Sequence, residues 1–157
     1  MGAVRQPIMV VQNWMDPLNK DEDVRAWAED YAALYTSYST LGGQWEWRPE
    51  GQGLGNPVLT HPTILQIASK HGVSPVMAVL SWALQERVSI IPRSSQPKHI
   101  KELAAGLLPD AEGIIRVFLD EEDMAAIRKM ELVWNGQQEG EDEEVRGAEG
   151  SARQEEL

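Results

Sequence analysis

Residues 74–103, SPVMAVLSWALQERVSIIPRSSQPKHIKEL, carry the reading that decides the fold. Ser74 is a helix cap, Pro75 stands in the first turn where its missing N–H costs nothing, and Val76, Val79, Leu80, Ala83 and Leu84 recur as a helical stripe. The pattern then changes to VSIIP, a short β-branched run that reads as a buried strand. A further helix follows, with Ser95 as its cap, Ile100, Leu103 and Ala104 as its apolar face and Gly106 as its stop.

The same alternation continues outward. PIMVVQNW (7–14) reads as a buried parallel strand. After the turn signal DPLNKDED (16–23), Val24, Trp27, Ala28 and Tyr31 recur at helical spacing, with Asn19 or Asp21 available as cap. LYTSYSTLGG (34–43) is a second strand, Leu34 to about Tyr38, running into a glycine loop. Residues 44–60, rich in Gly, Trp, Pro and Glu, are too long and irregular for an ordinary connection and read as a functional or poorly ordered loop. HPTILQIASKHG (61–72) is a helix with Pro62 at its first position, Ile64, Leu65 and Ala68 on one face and Gly72 as its stop. LDEEDMAAIRKMELV (119–133) is a helix capped by Asp120, acids at its start and Arg128 and Lys129 near its end, as the macrodipole favours. Strands alternating with helices imply an α/β fold with a parallel sheet wrapped by helices.

The 157 residues suit one domain, and a hydrophobic fraction of 42% is enough to build a core. The net charge of −11 is uneven: residues 137–157 hold eight acids against two arginines, which is −6 of the total. That segment has almost no large apolar residue, so it reads as a disordered acidic tail behind a domain at 1–136. The absence of cysteine excludes disulfides, thiolate metal sites and a cysteine nucleophile. No apolar run reaches the length of a membrane span, the N-terminus lacks a signal-peptide pattern, and no basic surface argues for nucleic acid. A cytoplasmic location is the expectation.

In such a fold ligands lie at the carboxyl ends of the strands, which singles out Gln12 and Asn13, Tyr38 to Gly43, and Arg93 to His99. Arg93, Lys98, His99 and Lys101 crowd the start of a helix, where the backbone dipole disfavours each added cation by about 0.3–1 kcal/mol. A bound phosphate would reverse that balance, since backbone N–H groups, the hydroxyls of Ser94 and Ser95 and the Arg93 fork would all donate to it. The alternative is a solvated face whose lysines reach into water, and charge alone does not choose between the two.

YSTLGG (38–43), the stretch SPVMAVLSWALQERVSIIPRSS (74–95) and HIKEL (99–103) together resemble the C-terminal portion of the aldo-keto reductases, with the order and spacing of the motifs kept from about Pro7 to Met130. The resemblance implies the C-terminal part of a (β/α)8 TIM barrel, about three parallel strands (the sixth to eighth) with flanking helices, and a family that reduces carbonyls with NADP(H) or NAD(H). It implies that Gln12 hydrogen-bonds the nicotinamide amide, Tyr38 stacks on the ring, and Ser39, Thr40 and Leu41 approach the pyrophosphate. Arg93 and Ser94 would take the adenosine 2′-phosphate, with Ser95, His99 and Glu102 around the adenine and ribose.

The departures from the family pattern concern cofactor choice and catalysis. Arg93 stands where the family often has Lys, His99 where it has Arg and Leu103 where it has Asn, and Ala32 replaces a glycine common at that helix end. The family's catalytic Asp, Tyr, Lys and His belong to the first half of the barrel, and nothing in this chain matches their motifs, so no catalytic residue is assigned. A carbonyl substrate is then expected only where the barrel is completed, by the rest of a longer gene product, by a complementing chain or by an oligomer. The alternatives are a non-catalytic dinucleotide-binding or interaction module, or a truncated product without activity. His61, His71 and His99 lack metal-ligand spacing, GQGLGN (51–56) reads as a flexible turn, and Trp45 and Trp47 are candidates to cover cofactor or substrate.

Overall fold

A computed structural model describes residues 8–108 and 117–132. The elements run β1 (Val10–Trp14), α1 (Glu22–Asp30), β2 (Leu34–Tyr38), α2 (Pro62–His71), α3 (Pro75–Gln85), β3 (Ser89–Ile90), α4 (Pro97–Leu107) and α5 (Glu121–Arg128). The three strands form one parallel sheet in the order β1-β2-β3, with Val10 opposite Leu34, Trp14 opposite Tyr38 and Thr36 opposite Ser89. The sheet is open, with helices flanking it, as in a segment of a (β/α)8 barrel. The acidic tail at 137–157, with the domain end placed at 136, lies outside the described residues.

Alternation along the strands separates two faces. Val11, Asn13, Tyr35, Ser37 and Ile90 face one way; Tyr35 and Ser37 are buried there, and Ala28 of α1 and Val88 belong to the same core. Val10, Gln12, Trp14, Leu34, Thr36, Tyr38 and Ser89 face the other way, where Val10 is 53% and Leu34 51% exposed. An apolar residue half in water on a parallel strand is unusual, because such sheets are ordinarily covered on both faces.

Four expectations are corrected. Helix α4 opens one residue later than expected: Gln96 is the N-cap position, and the Ser94 hydroxyl accepts from the Gln96 N–H (3.1 Å), so Ser95 caps nothing. Gly106 lies inside α4 instead of ending it, and is buried because a Cβ there would meet Met77 Cε at 2.1 Å. Asp21 stands at the N-cap position of α1 in the left-handed region, but its carboxylate caps no N–H; it accepts from Asn13 Nδ2 (2.9 Å) and the Tyr35 hydroxyl (2.5 Å). Helix α3 is buried on all sides from Met77 to Ala83, not along one stripe, because it lies between two apolar clusters. Smaller differences follow from the same packing: Leu65 and Ile100 are about half exposed, and β1 and β3 are shorter than the apolar runs that mark them.

Other local signals are realised. Ser74 and Asp120 cap α3 and α5, the latter with a reciprocal capping box to Asp123. Gly72 ends α2 at φ 63°, and Ala32 adopts φ 53° where a glycine would be unstrained.

Candidate functional site

Because the strands are parallel, their carboxyl ends lie at one end of the sheet, and the three groups singled out from the sequence all follow or sit near them. Gln12 and Tyr38 share one face, Gln12 opposite Thr36 and Tyr38 opposite Trp14; Gln12 is exposed, Tyr38 partly buried, and Thr36 and Trp14 are buried. The chain then turns sharply: Ser39 has φ 52°, the Gly42 N–H donates to the Ser39 carbonyl (2.9 Å), and the buried Thr40 hydroxyl meets Ser37 Oγ at 2.6 Å. Ser37 Oγ also donates to the Met15 carbonyl (2.7 Å), which ties this turn to the end of β1. Gln44 Nε2 donates to Ser39 Oγ (3.2 Å) and Asn56 Nδ2 to the Leu41 carbonyl (2.7 Å).

Residues 44–60 are built, not loose. Two 3-10 turns, Gly43–Trp47 and Pro49–Gly51, fold back on the strand ends. Gly42 and Gly51 allow the close packing: a Cβ on Gly42 would lie 2.7 Å from Val58 Cγ2, and one on Gly51 2.1 Å from the Trp45 carbonyl oxygen. The anchor is Asp16, with none of its surface exposed. One carboxylate oxygen accepts from the indole N–H of Trp14 (2.8 Å) and of Trp45 (3.0 Å); the other accepts from the backbone N–H of Leu18 (2.8 Å) and Asn19 (3.0 Å). Burial raises its pKa above the ordinary aspartate value, against the opposing pull of those four donors. Trp14 and Trp45 pack edge to face with centroids 5.4 Å apart, and the Arg48 guanidinium lies 4.4 Å over the Trp14 ring. Trp45 is therefore a packing residue, whereas Trp47 is 81% exposed.

The basic cluster follows β3. Arg93, Ser95 and His99 are exposed; Ser94 Oγ sits 3.5 Å from His99 Nδ1. Glu102 is held from below by the Ser74 hydroxyl (2.5 Å), which links the start of α3 to α4. Among the described residues Arg93 forms no ion pair, unlike Arg25 and Arg128, which both reach Glu86. Burial pushes the Glu86 carboxyl up, but those two guanidinium groups outweigh it and the net shift is downward.

Tyr35 gives its hydroxyl to Asp21, and burial together with that carboxylate holds its pKa far above the ordinary range. Tyr31 stacks on Trp27 at the surface with centroids 4.5 Å apart, and Tyr38 is the partly buried last residue of β2.

The aldo/keto reductase family model matches residues 3–131. The chain belongs to the aldo/keto reductase family. Similar relatives include the NAD(P)H-dependent D-xylose reductase of Scheffersomyces stipitis, 29% identical over 133 residues, covering 83% of this chain and 39% of that protein. NAD(P)H-dependent D-xylose reductase I,II of Candida tropicalis is 32% identical over 103 residues, covering 64% and 32%. A crystal structure of a Gox0644 mutant in complex with NADPH matches at 29% identity and TM-score 0.59, over 78% of this chain and 38% of that one. This aldo/keto reductase chain thus spans about a third of the length of the relatives it matches.

Sequence reasoning missed Asp16, Arg48 and the Asp123 cluster of this aldo/keto reductase chain. Asp16 carried a signal, the Asp-Pro turn; its partner Trp45 lies 29 residues away and left none. At the joint of α2 and α5, Lys70 donates to Asp120 (2.6 Å) and Asp123 (2.9 Å), and His71 Nε2 to Asp123 (2.6 Å). The Asp120 and Asp123 carboxylates are taken up by the Lys70 ammonium and the His71 ring, so the cluster reads as a helix clamp.

Proposed function

We propose that this chain is the cofactor-binding portion of an NAD(P)H-dependent carbonyl reductase acting by hydride transfer. The dinucleotide lies across the carboxyl ends of the strands, with its nicotinamide amide on Gln12 and its ring on Tyr38. Ser39, Thr40 and Leu41 face the pyrophosphate, Arg93 and Ser94 the 2′-phosphate, and Ser95, His99 and Glu102 the adenosine. The observation that carries this reading is that Gln12 and Tyr38 share one face of the sheet, with Arg93, exposed and without an ion pair among the described residues, following β3. The names of the relatives and the NADPH complex of a structural neighbour support the cofactor class.

Reduction of a carbonyl also needs a proton donor at the developing alkoxide, typically worth about 10²–10⁴-fold. No such donor is assigned in this sequence, so turnover rests on strands and catalytic groups outside it, whether from the rest of a longer gene product or from a complementing chain. The half-exposed Val10 and Leu34 on the uncovered face suit such a partner. The test is NADPH titration followed by tryptophan fluorescence, in wild type and Arg93→Met. A loss on the order of 1.5–3 kcal/mol, the range for a charge-assisted hydrogen bond, is expected; equal affinities would refute the phosphate assignment. NADPH oxidation with a nitrobenzaldehyde should be absent for the chain alone and appear when a fragment carrying the first five strands of a similar reductase is added.

A further inference from the structure

Helix α2 is closed at its N-terminus by an imidazole. Nδ1 of His61 accepts from the Thr63 N–H (3.2 Å), whereas α3 and α5 are capped by an oxygen of Ser74 and of Asp120. The other ring nitrogen, Nε2, lies 3.3 Å from the carbonyl oxygen of Glu131, beyond the end of α5. A backbone N–H only donates and a carbonyl only accepts, so the two partners together require one state of the ring, neutral with its proton on Nε2. At 9% exposure His61 leaves water little part in either bond.

The neighbouring carbonyl, that of Met130, accepts from Lys20 Nζ (3.1 Å). Lys20 follows β1 and His61 follows the loop after β2, so two side chains tie the segment leaving α5 to the carboxyl end of the sheet. Met130 is buried in the main core.

Protonation acts on this joint in one direction. A proton on Nδ1 removes the acceptor, sets two N–H groups against each other and puts a cation at the positive end of the helix dipole. The charged groups on the elements packed against this end of α2 do not offset that. Helix α3 has no acidic or basic side chain; at the end of α5, Arg128 is held by Glu86 and Glu121, and Lys129 and Glu131 are exposed. Lys20 adds a like charge, and Glu46, Arg48 and Glu50 of the preceding loop are exposed. Among the described residues no carboxylate is hydrogen-bonded to the His61 ring. The opposite end of the same helix is built the other way: His71 Nε2 meets the Asp123 carboxylate at 2.6 Å, beside the negative end of the dipole, where a charged ring is favoured.

We propose that His61 is a pH-sensitive latch. At neutral pH it fastens the segment after α5 to the start of α2; at mildly acid pH it lets go of the Thr63 N–H and the Glu131 carbonyl together. The latch rests on these two bonds and is independent of the dinucleotide reading.

The experiment is nuclear magnetic resonance on the whole 157-residue chain. Long-range nitrogen–proton spectra of wild type near neutral pH should show the Nε2–H tautomer of His61. The pH is then lowered from about 7.5 to about 5.5, the interval in which histidine changes charge. The Thr63 amide, with its exchange corrected for the intrinsic effect of pH, should lose protection roughly two- to thirtyfold, the range for loss of a helix cap. The Leu132 amide, whose peptide group holds the Glu131 carbonyl, should shift with the same midpoint as the His61 ring. His61→Asn keeps a capping oxygen without a titrating group and should show neither change; His71→Asn should show both, as wild type does. The Nδ1–H tautomer at neutral pH, the absence of the two responses in wild type, or responses of equal size in His61→Asn overturns the proposal. Because the tautomer is read on wild type, the test holds even where His61→Asn fails to fold.

Discussion

Asp16 and Asp123 are both nearly removed from water, at 0% and 4% exposure, and the protein treats them in opposite ways. Asp16 sits at the ligand end of the sheet with only neutral donors, two indoles and two backbone N–H groups. Asp123 sits at the joint of α2 and α5 with Lys70 and His71. Burial pushes both carboxyls up. Dipoles alone do not cancel that push at Asp16, whose pKa stays raised, whereas the His71 and Lys70 hydrogen bonds overcome it at Asp123, whose pKa is lowered. A charge buried among dipoles fixes the geometry around it at some cost in stability; a charge buried beside an ammonium and an imidazole joins two helices and stabilises the fold. The first arrangement suits a place where Trp14 and Trp45 are held still, the second a joint between α2 and α5.

The sharpest way to break this comparison is Asp16→Ala. It strands two indole and two backbone donors in an apolar pocket, a loss on the order of 3–5 kcal/mol. Urea unfolding should show it as the largest single effect among these variants, with loss of the near-ultraviolet circular dichroism of Trp14 and Trp45. Asp123→Ala should cost less, about 1–3 kcal/mol, because Lys70, 43% exposed, is free to turn its ammonium to water. Its dichroism in the tryptophan region should stay as in wild type. A loss at Asp123 exceeding that at Asp16 would invert the argument.

Acid separates the two by sign. Asp123 and Glu86 have lowered pKa values, as does Asp120, pulled down to about 2 by the Lys70 ammonium beside it. Their stabilisation is present above the ordinary carboxylate range and is lost as pH falls through their folded values. Asp16, with a raised pKa, takes up its proton more readily folded than unfolded, so its burial cost is relieved as pH falls and the net acid loss is reduced. Denaturant midpoints from pH 7 to pH 3 should therefore fall less steeply in Asp123→Asn than in wild type, and more steeply in Asp16→Asn.

The sequence makes the local half of this legible and not the tertiary half. Ser74, Pro75, Gly72 and Asp120 announce helix ends because their signals act within a turn, and the structure places all four as read. Tyr38 and Gln12, singled out through a family resemblance, lie on one face by strand alternation. Gly106 misled because a glycine near a helix end has two uses; here Met77 of α3 needs the space, a fact that lives 29 residues upstream. The order of residues 44–60 was hidden for the same reason: composition signals a loop, but whether it is held depends on Asp16 accepting from Trp45 and on Asn56 reaching back to the Leu41 carbonyl.

The smallest expected effect calibrates the others, because it involves backbone strain and no charge. Ala32 holds φ 53° after α1, where its Cβ crowds the following carbonyl; its N–H donates to the Glu29 carbonyl at 3.0 Å, so the turn itself is sound. Ala32→Gly removes a strain of roughly 1–2 kcal/mol and loosens the unfolded chain by about 0.4–1 kcal/mol. The net should be a gain of a few tenths to about 1 kcal/mol. Since no titratable group takes part, the gain should be equal at pH 7 and pH 4, while the increments at Asp16 and Asp123 change in opposite directions over the same interval. A gain at Ala32 that tracked pH would mean that the whole fold, and not the two carboxylates, sets the acid response.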